Sequence, residues 1–160
     1  MNIYLIRHGE AEQPSDRKQH EERALTTDGI EIVKASIQLW KNFVYSFDII
    51  LTSPLKRARQ TAQIIHNTFK TEFDVVEEIS LLNGGLTEDL LSIARSLNLK
   101  DIAMVGHQPD IGHHIAQMIG VNESNYKIPP ALIAKINFKD RPKVGKGILE
   151  FLLPAVNKKG

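Results

Sequence analysis

Apolar and polar positions alternate between two periods along the chain. Residues 2–7, NIYLIR, are apolar nearly throughout, as a central strand covered on both faces requires. Residues 10–26 are polar and charged and predict a loop. From about 27 to 42 the spacing becomes helical, with Ile30, Val33, Ile37 and Trp40 on one face. Residues 47–52, FDIILT, predict a second strand. Ser53-Pro54 then looks like a helix start, with Ser53 as N-cap and Pro54 in the first helical position. Leu55, Ala58, Ala62, Ile65 and Phe69 continue as one apolar stripe. Residues 73–77 predict a weaker strand. Thr87 is expected to cap a helix carrying Leu90, Ala94 and Leu97. Residues 102–105 predict a buried strand, and a helix follows over about 110–119 with Ile111, Ile115 and Met118 inward. Residues 131–138 and 147–153 alternate as two closing strands. Strands alternating with helices predict an α/β fold of three layers, a mostly parallel central sheet flanked by helices. No repeat, linker or low-complexity tract divides residues 1–160, so a single domain is expected.

Composition narrows the function classes. The chain has 160 residues, 42% of them hydrophobic and 24% charged, with a net charge of +1. This is a soluble globular balance, with no global field to draw it onto nucleic acid or an anionic membrane. There is no cysteine, which removes disulfides, thiol catalysis and cysteine metal sites and fits a cytoplasmic protein. No stretch resembles a signal peptide or a membrane span.

The candidate chemistry sits just past three strands. The first strand ends at Arg7-His8-Gly9. The second ends at Ser53, and the helix after it carries Lys56 and Arg57 in its first turns. The strand at 102–105 ends at Gly106-His107. Open α/β sheets bind ligands outside the carboxyl ends of their strands. Arg57 also stands where a helix dipole disfavours a cation, which suggests a nearby anion. Taken singly, each feature is an ordinary loop start, solvated helix face or turn. Their coincidence at strand ends predicts one pocket holding Arg7, His8, Arg57 and His107. Paired guanidiniums match phosphoryl oxygens. A neutral imidazole is a competent nucleophile toward phosphorus, and surrounding cations are expected to keep His8 neutral. Gly9 is expected to let the backbone approach the phosphate.

RHG (7–9), TSPLKRARQTA (52–62) and VGHQP (105–109), in this order over nearly the whole chain, resemble the histidine phosphatase superfamily, with its phosphoglycerate mutase-like fold. The short length and the stretch DRKQHEERALTTDG (16–29) look most like the SixA-type branch, small phosphohistidine phosphatases. The resemblance implies His8 as the phosphorylated nucleophile, with Arg7, Arg57 and His107 on the phosphoryl group and Arg23 reaching the same pocket. Members acting on phosphate monoesters carry an acid after the third strand. Glu78 in VVEEISLLNGG fits that place, with Glu77 its neighbour, and a solvated strand end is the competing reading. An imidazole leaving group needs less help from an acid than an alkoxide does. The short segment over 78–100 implies an open site that admits a side chain of another protein.

The resemblance therefore implies a metal-independent phosphatase without cofactor, acting on a phosphohistidine-bearing protein. A small phosphate ester is the first alternative, and a catalytically weak phosphate-binding module the second. His113 and His114, with His107 and Asp110, could suggest a metal site, but adjacent helical residues point about 100° apart, which favours a core place for His114 and a solvated one for His113. His20 and His66 are expected at the surface. Lys18, Lys56 and Arg59 could guide an acidic partner or be solvated charges. The basic turn at 139–146 reads as an edge device, and its few aromatics give no nucleic-acid stacking platform.

Overall fold

The computed structural model describes residues 1–122 and 127–157. The strands are β1 (Asn2–Arg7), β2 (Ile49–Thr52), β3 (Val76–Glu77), β4 (Asp101–Gly106), β5 (Ile133–Asn137) and β6 (Ile148–Leu153). The helices are α1 (Thr27–Trp40), α2 (Lys56–Phe69), α3 (Thr87–Leu97) and α4 (Asp110–Ile119). The six strands form one sheet in the order β3-β2-β4-β1-β5-β6. β3, β2, β4 and β1 run parallel. β5 and β6 are antiparallel additions beyond β1.

The apolar runs of β1 and β4 are explained by the two layers they feed. Ile3 and Leu5 of β1, with Ile102 and Met104 of β4, pack under Leu90, Leu91 and Ala94 of α3 and Ile111, Ile115 and Met118 of α4. Tyr4 and Ile6, with Ala103 and Val105, face the other way. They pack against Val33, Ile37 and Trp40 of α1 and Ala58, Ala62 and Ile65 of α2. Successive side chains of a strand alternate faces, so a strand between two helix layers must be apolar at every position.

Several local details depart from the sequence expectation. Helix α2 starts at Lys56 rather than at Ser53-Pro54, and its N-cap position is Leu55 with no side-chain cap. Ser53 is fully buried and its hydroxyl is engaged elsewhere. Thr87 is the first residue of α3 and not its cap, because its hydroxyl turns inward to His114. The second strand begins at Ile49, since the Asp48 carboxylate accepts the amides of Lys100 and Asp101 at 2.9 and 2.8 Å. The strand expected over 73–77 shrinks to Val76 and Glu77, both exposed at the sheet edge. Helix α1 has the expected kind of start: Thr26 accepts the Gly29 amide at 2.9 Å.

Candidate active site

Backbone bonds tie the ends of the parallel strands to one another. The His8 amide donates to Gly106 O at 3.1 Å, and the Ser53 amide donates to Val105 O at 2.9 Å. Because β4 lies between β2 and β1, His107 emerges between Ser53 and His8. The His8 and His107 rings lie 5.1 Å apart, centroid to centroid. Both are buried, 8% and 3% exposed.

His8 has a defined tautomer. Its Nδ1 is 2.6 Å from Gly9 O. A carbonyl only accepts, so Nδ1 carries the proton and Nε2 keeps its lone pair. Burial lowers the His8 pKa to about 4, against the effect of the Gly9 bond, with the charges of Arg57, Arg7 and Arg23 adding to the shift. Burial is thus a larger cause of neutrality than the surrounding cations. His107 is held neutral in the same way, lowered to about 3 by burial, then by His8, Arg57, His20 and Arg7. Its Nε2 lies 2.7 Å from Ser53 Oγ, and its Nδ1 is buried without a hydrogen-bond partner among the described residues.

The arginines converge on this pair from three segments. Arg7, at the end of β1, donates from Nη1 to Ile128 O at 2.6 Å, while its Nε is buried without a hydrogen-bond partner among the described residues. Burial lowers its pKa from the ordinary arginine value. Arg57 is 4% exposed in the first turn of α2. It donates to His20 O at 3.0 Å and to His20 Nε2 at 2.9 Å. Burial and the neighbouring Arg23 lower its pKa. Arg23 donates from Nε to Glu12 O at 2.7 Å, and its Nη1 lies 3.4 Å from His20 Nδ1. The loop that carries Arg23 is folded back on itself by a bridge between Ala11 and Leu25 and by Glu12, which accepts the Ala24 amide at 3.1 Å. The Leu25 amide donates to Gln60 of α2 at 2.7 Å. The predicted loop is thus a shaped segment, and it brings Arg23 and Arg57 together on His20.

Gly9 plays a different part from the one expected. A Cβ there would lie 2.5 Å from Val33 Cγ2 and 3.3 Å from Gly29 O. The missing side chain makes room for α1. The Gly9 amide is also occupied, donating to Thr61 Oγ1 at 3.1 Å. Thr61 in turn donates to Arg57 O at 2.9 Å, so this hydroxyl joins the His8-Gly9 turn to α2.

Glu78 stands beside the pocket through its backbone: its amide donates to Thr52 O at 2.8 Å. Its carboxylate accepts the Ser80 amide at 2.9 Å. Glu77 instead pairs with Arg59 at 3.5 Å, with both side chains more than half exposed. His20 was expected to be a surface residue only. It is exposed, yet it holds Arg57 by two bonds, a role visible only once the loop is folded. His114 is fully buried and 2.7 Å from Thr87 Oγ1, and Asp110 accepts the Gly84 amide at 2.8 Å. Half-buried His113 is less solvated than expected. Among the described residues no group of three His, Cys, Asp or Glu side chains is placed to hold a metal ion.

Two neutral buried imidazoles, with guanidiniums around them at the carboxyl ends of parallel strands, form a candidate site with the chemistry to hold an oxyanion and offer it a nitrogen lone pair. The comparisons with known proteins give the same class a family. The model of the histidine phosphatase superfamily, branch 1, matches residues 3–98. A homologue of the phosphohistidine phosphatase SixA from Haemophilus influenzae is 30% identical over 148 residues, 85% of this chain and 87% of that protein. The chain belongs to the histidine phosphatase superfamily and is similar to SixA. A solved structure of the protein histidine phosphatase SixA with tungstate shares the fold at a TM-score of 0.83, with 20% identity, covering 96% of this chain and 97% of that one. A phosphoserine phosphatase from Entamoeba histolytica, solved with phosphoserine, matches at 0.72 with 20% identity, covering 94% and 95%.

Proposed function

We propose that the protein is a phosphohydrolase that removes phosphate from phosphohistidine on another protein, through a covalent intermediate on His8. The observation that carries this reading is the Nδ1–H bond from His8 to Gly9 O, which leaves Nε2 unprotonated at physiological pH. In the first step the Nε2 lone pair forms a bond to phosphorus, and the bond from phosphorus to the substrate imidazole breaks with its electron pair. A proton from solvent neutralises that imidazole. In the second step water attacks phosphorus and passes a proton to solvent, the phosphorus–Nε2 bond breaks with its electron pair returning to His8, and inorganic phosphate leaves. Arg7, Arg57, Arg23 and His107 bind the equatorial oxygens, where charge stabilisation and positioning supply most of the rate. The chain's own residues supply each of these roles without a metal ion.

Two features favour a protein substrate. One Glu78 carboxylate oxygen is engaged by its own turn, and an imidazole leaving group needs less help from an acid than an alkoxide does. Beside the pocket runs an open groove of about 430 Å³ lined by Thr52, Lys56, Arg59, Gln60 and Glu77, room for the surface around a phosphorylated side chain. Among the described residues no helix is long and apolar enough to cross a membrane, and a cytoplasmic setting belongs to the same proposal. A second reading, a small phosphate ester as substrate, draws on the phosphoserine phosphatase of like fold and on the place of Glu78 next to Thr52.

The test compares kcat/KM on phosphohistidine-bearing proteins and on small phosphate esters, without added metal. Phosphohistidine is expected to be preferred, and His8→Ala to release phosphate at no more than background. Normal turnover by His8→Ala overturns the mechanism. If esters are preferred and Glu78→Gln abolishes their hydrolysis alone, the second reading replaces the first.

A further inference from the structure

We infer that Ser53 is a positioning residue that fixes His107 in the tautomer carrying its proton on Nδ1, making that N–H the donor to a phosphoryl oxygen. The inference deepens the reading of the pocket as a phosphoryl site.

The buried donors and acceptors around Ser53 fix the tautomer. Ser53 is fully buried. Its oxygen accepts the Leu55 amide at 3.4 Å and lies 2.7 Å from His107 Nε2. Two tautomers of neutral His107 are open. If Nε2 carried the proton, Ser53 Oγ would accept twice, and its own buried O–H would have no acceptor among the described residues. The His107 Nδ1 would then be a bare lone pair, which repels an oxyanion. If Nδ1 carries the proton, the Ser53 O–H donates to Nε2, and both Ser53 and the Leu55 amide are satisfied. One donor remains, Nδ1–H, which is buried without a protein partner. An unsatisfied buried polar group costs about 1–3 kcal/mol. The first arrangement strands two groups permanently, and the second strands one that an oxyanion satisfies.

The sheet builds this contact. Ser53 and His107 directly follow neighbouring parallel strands, and the Ser53 amide is anchored on Val105 O at 2.9 Å. A capping role at α2 would aim the hydroxyl along the helix. The Pro54-Leu55 step delays the helix to Lys56 and leaves the hydroxyl free to face His107. His8 and His107 then carry the same tautomer for opposite purposes. In His8 the Nδ1 proton is bound by a carbonyl so that Nε2 attacks. In His107 the Nε2 lone pair is bound by a hydroxyl so that Nδ1–H donates.

Long-range proton–nitrogen NMR on protein labelled with 15N-histidine, at pH 7.5 with and without inorganic phosphate, reads the tautomer directly. Free neutral histidine prefers the proton on Nε2. The expected result is that phosphate-bound wild-type protein has His107 protonated on Nδ1, and that Ser53→Ala moves it toward the Nε2–H form. The same variant should lose about 10–100-fold in kcat, the scale of losing a group that orients an imidazole ligand, with a native circular dichroism spectrum. A wild-type His107 protonated on Nε2 overturns the inference, as does a Ser53→Ala protein with unchanged tautomer and kcat. If Ser53→Ala does not fold, the wild-type tautomer decides alone. The NMR result does not depend on turnover, so it separates failure of this inference from failure of the phosphatase reading.

Discussion

His8 and Arg57 show how far a single side chain's surroundings set its chemistry. An imidazole in water gains its proton near pH 6.5, while burial delays protonation of His8 to about 4. In the proposed mechanism the neutral form attacks, so activity is expected to fall as pH falls through the folded-state value. With the titration of the substrate phosphate subtracted, the acid limb of kcat/KM is expected near pH 4, and a limb at 6.5 would contradict the burial argument. Arg57 grips His20 with both terminal nitrogens of its planar fork. Arg57→Lys keeps the charge and loses the fork, so it should lower kcat/KM on the order of 10²–10³, the loss measured for one preorganised donor at an oxyanion site. Recovery of wild-type rate by lysine would sink that expectation. Arg7, His8, Arg57 and His107 were legible because each lies beside an apolar run whose end is plain in the sequence. Ser53 and His20 were not. The partner of Ser53 is 54 positions away, and His20 reaches Arg57 only because Glu12 and Gln60 close the loop.

At the scale of elements, the turn after β1 is locked to α1 and α2 by packing rather than by ligand. Gly9→Ala pushes a methyl into Val33 of α1. Overpacking of this kind costs about 1–3 kcal/mol, and Val33→Ala in the same chain should return part of it, as read by urea denaturation of the single and double variants. Equal stability of Gly9→Ala and wild type would remove the packing explanation. The periods of 2 and 3.6 gave the order of strands and helices, since β1 and β4 feed both core clusters and α1 to α4 each bury one stripe. Helix starts were less legible. A serine or threonine before a helix serves as a cap or as a partner for a buried imidazole with equal ease, and tertiary contacts chose the second use for Ser53 and Thr87. β3 shrank because its residues lie exposed at the edge, where no layer covers them.

For the molecule as a whole, three buried histidines tie stability to pH. His8, His107 and His114 titrate near 4, 3 and 4 in the folded protein, burial being the first cause in each. The unfolded chain binds their protons near 6.5. Between those values the unfolded state holds more protons, so stability falls as pH falls from about 6.5 toward 4 and is flat above. Each group contributes up to about 1.4 kcal/mol per pH unit in that window. Urea melts followed by the fluorescence of Trp40, the sole tryptophan and fully buried, should show a lower midpoint at pH 5 than at pH 7.5. An unchanged midpoint would mean that these rings are hydrated.

The central place of β1 carries a consequence for how the protein is made. Asn2 bonds to Asp101, 99 positions along the chain, and to Asn137, 135 positions along. On a ribosome the strand that bears His8 is therefore synthesised before its partner strands and docked late, waiting for β4 and β5 to clear the exit tunnel. Until then its unpaired apolar edge depends on the speed of translation and on chaperones to stay out of aggregates.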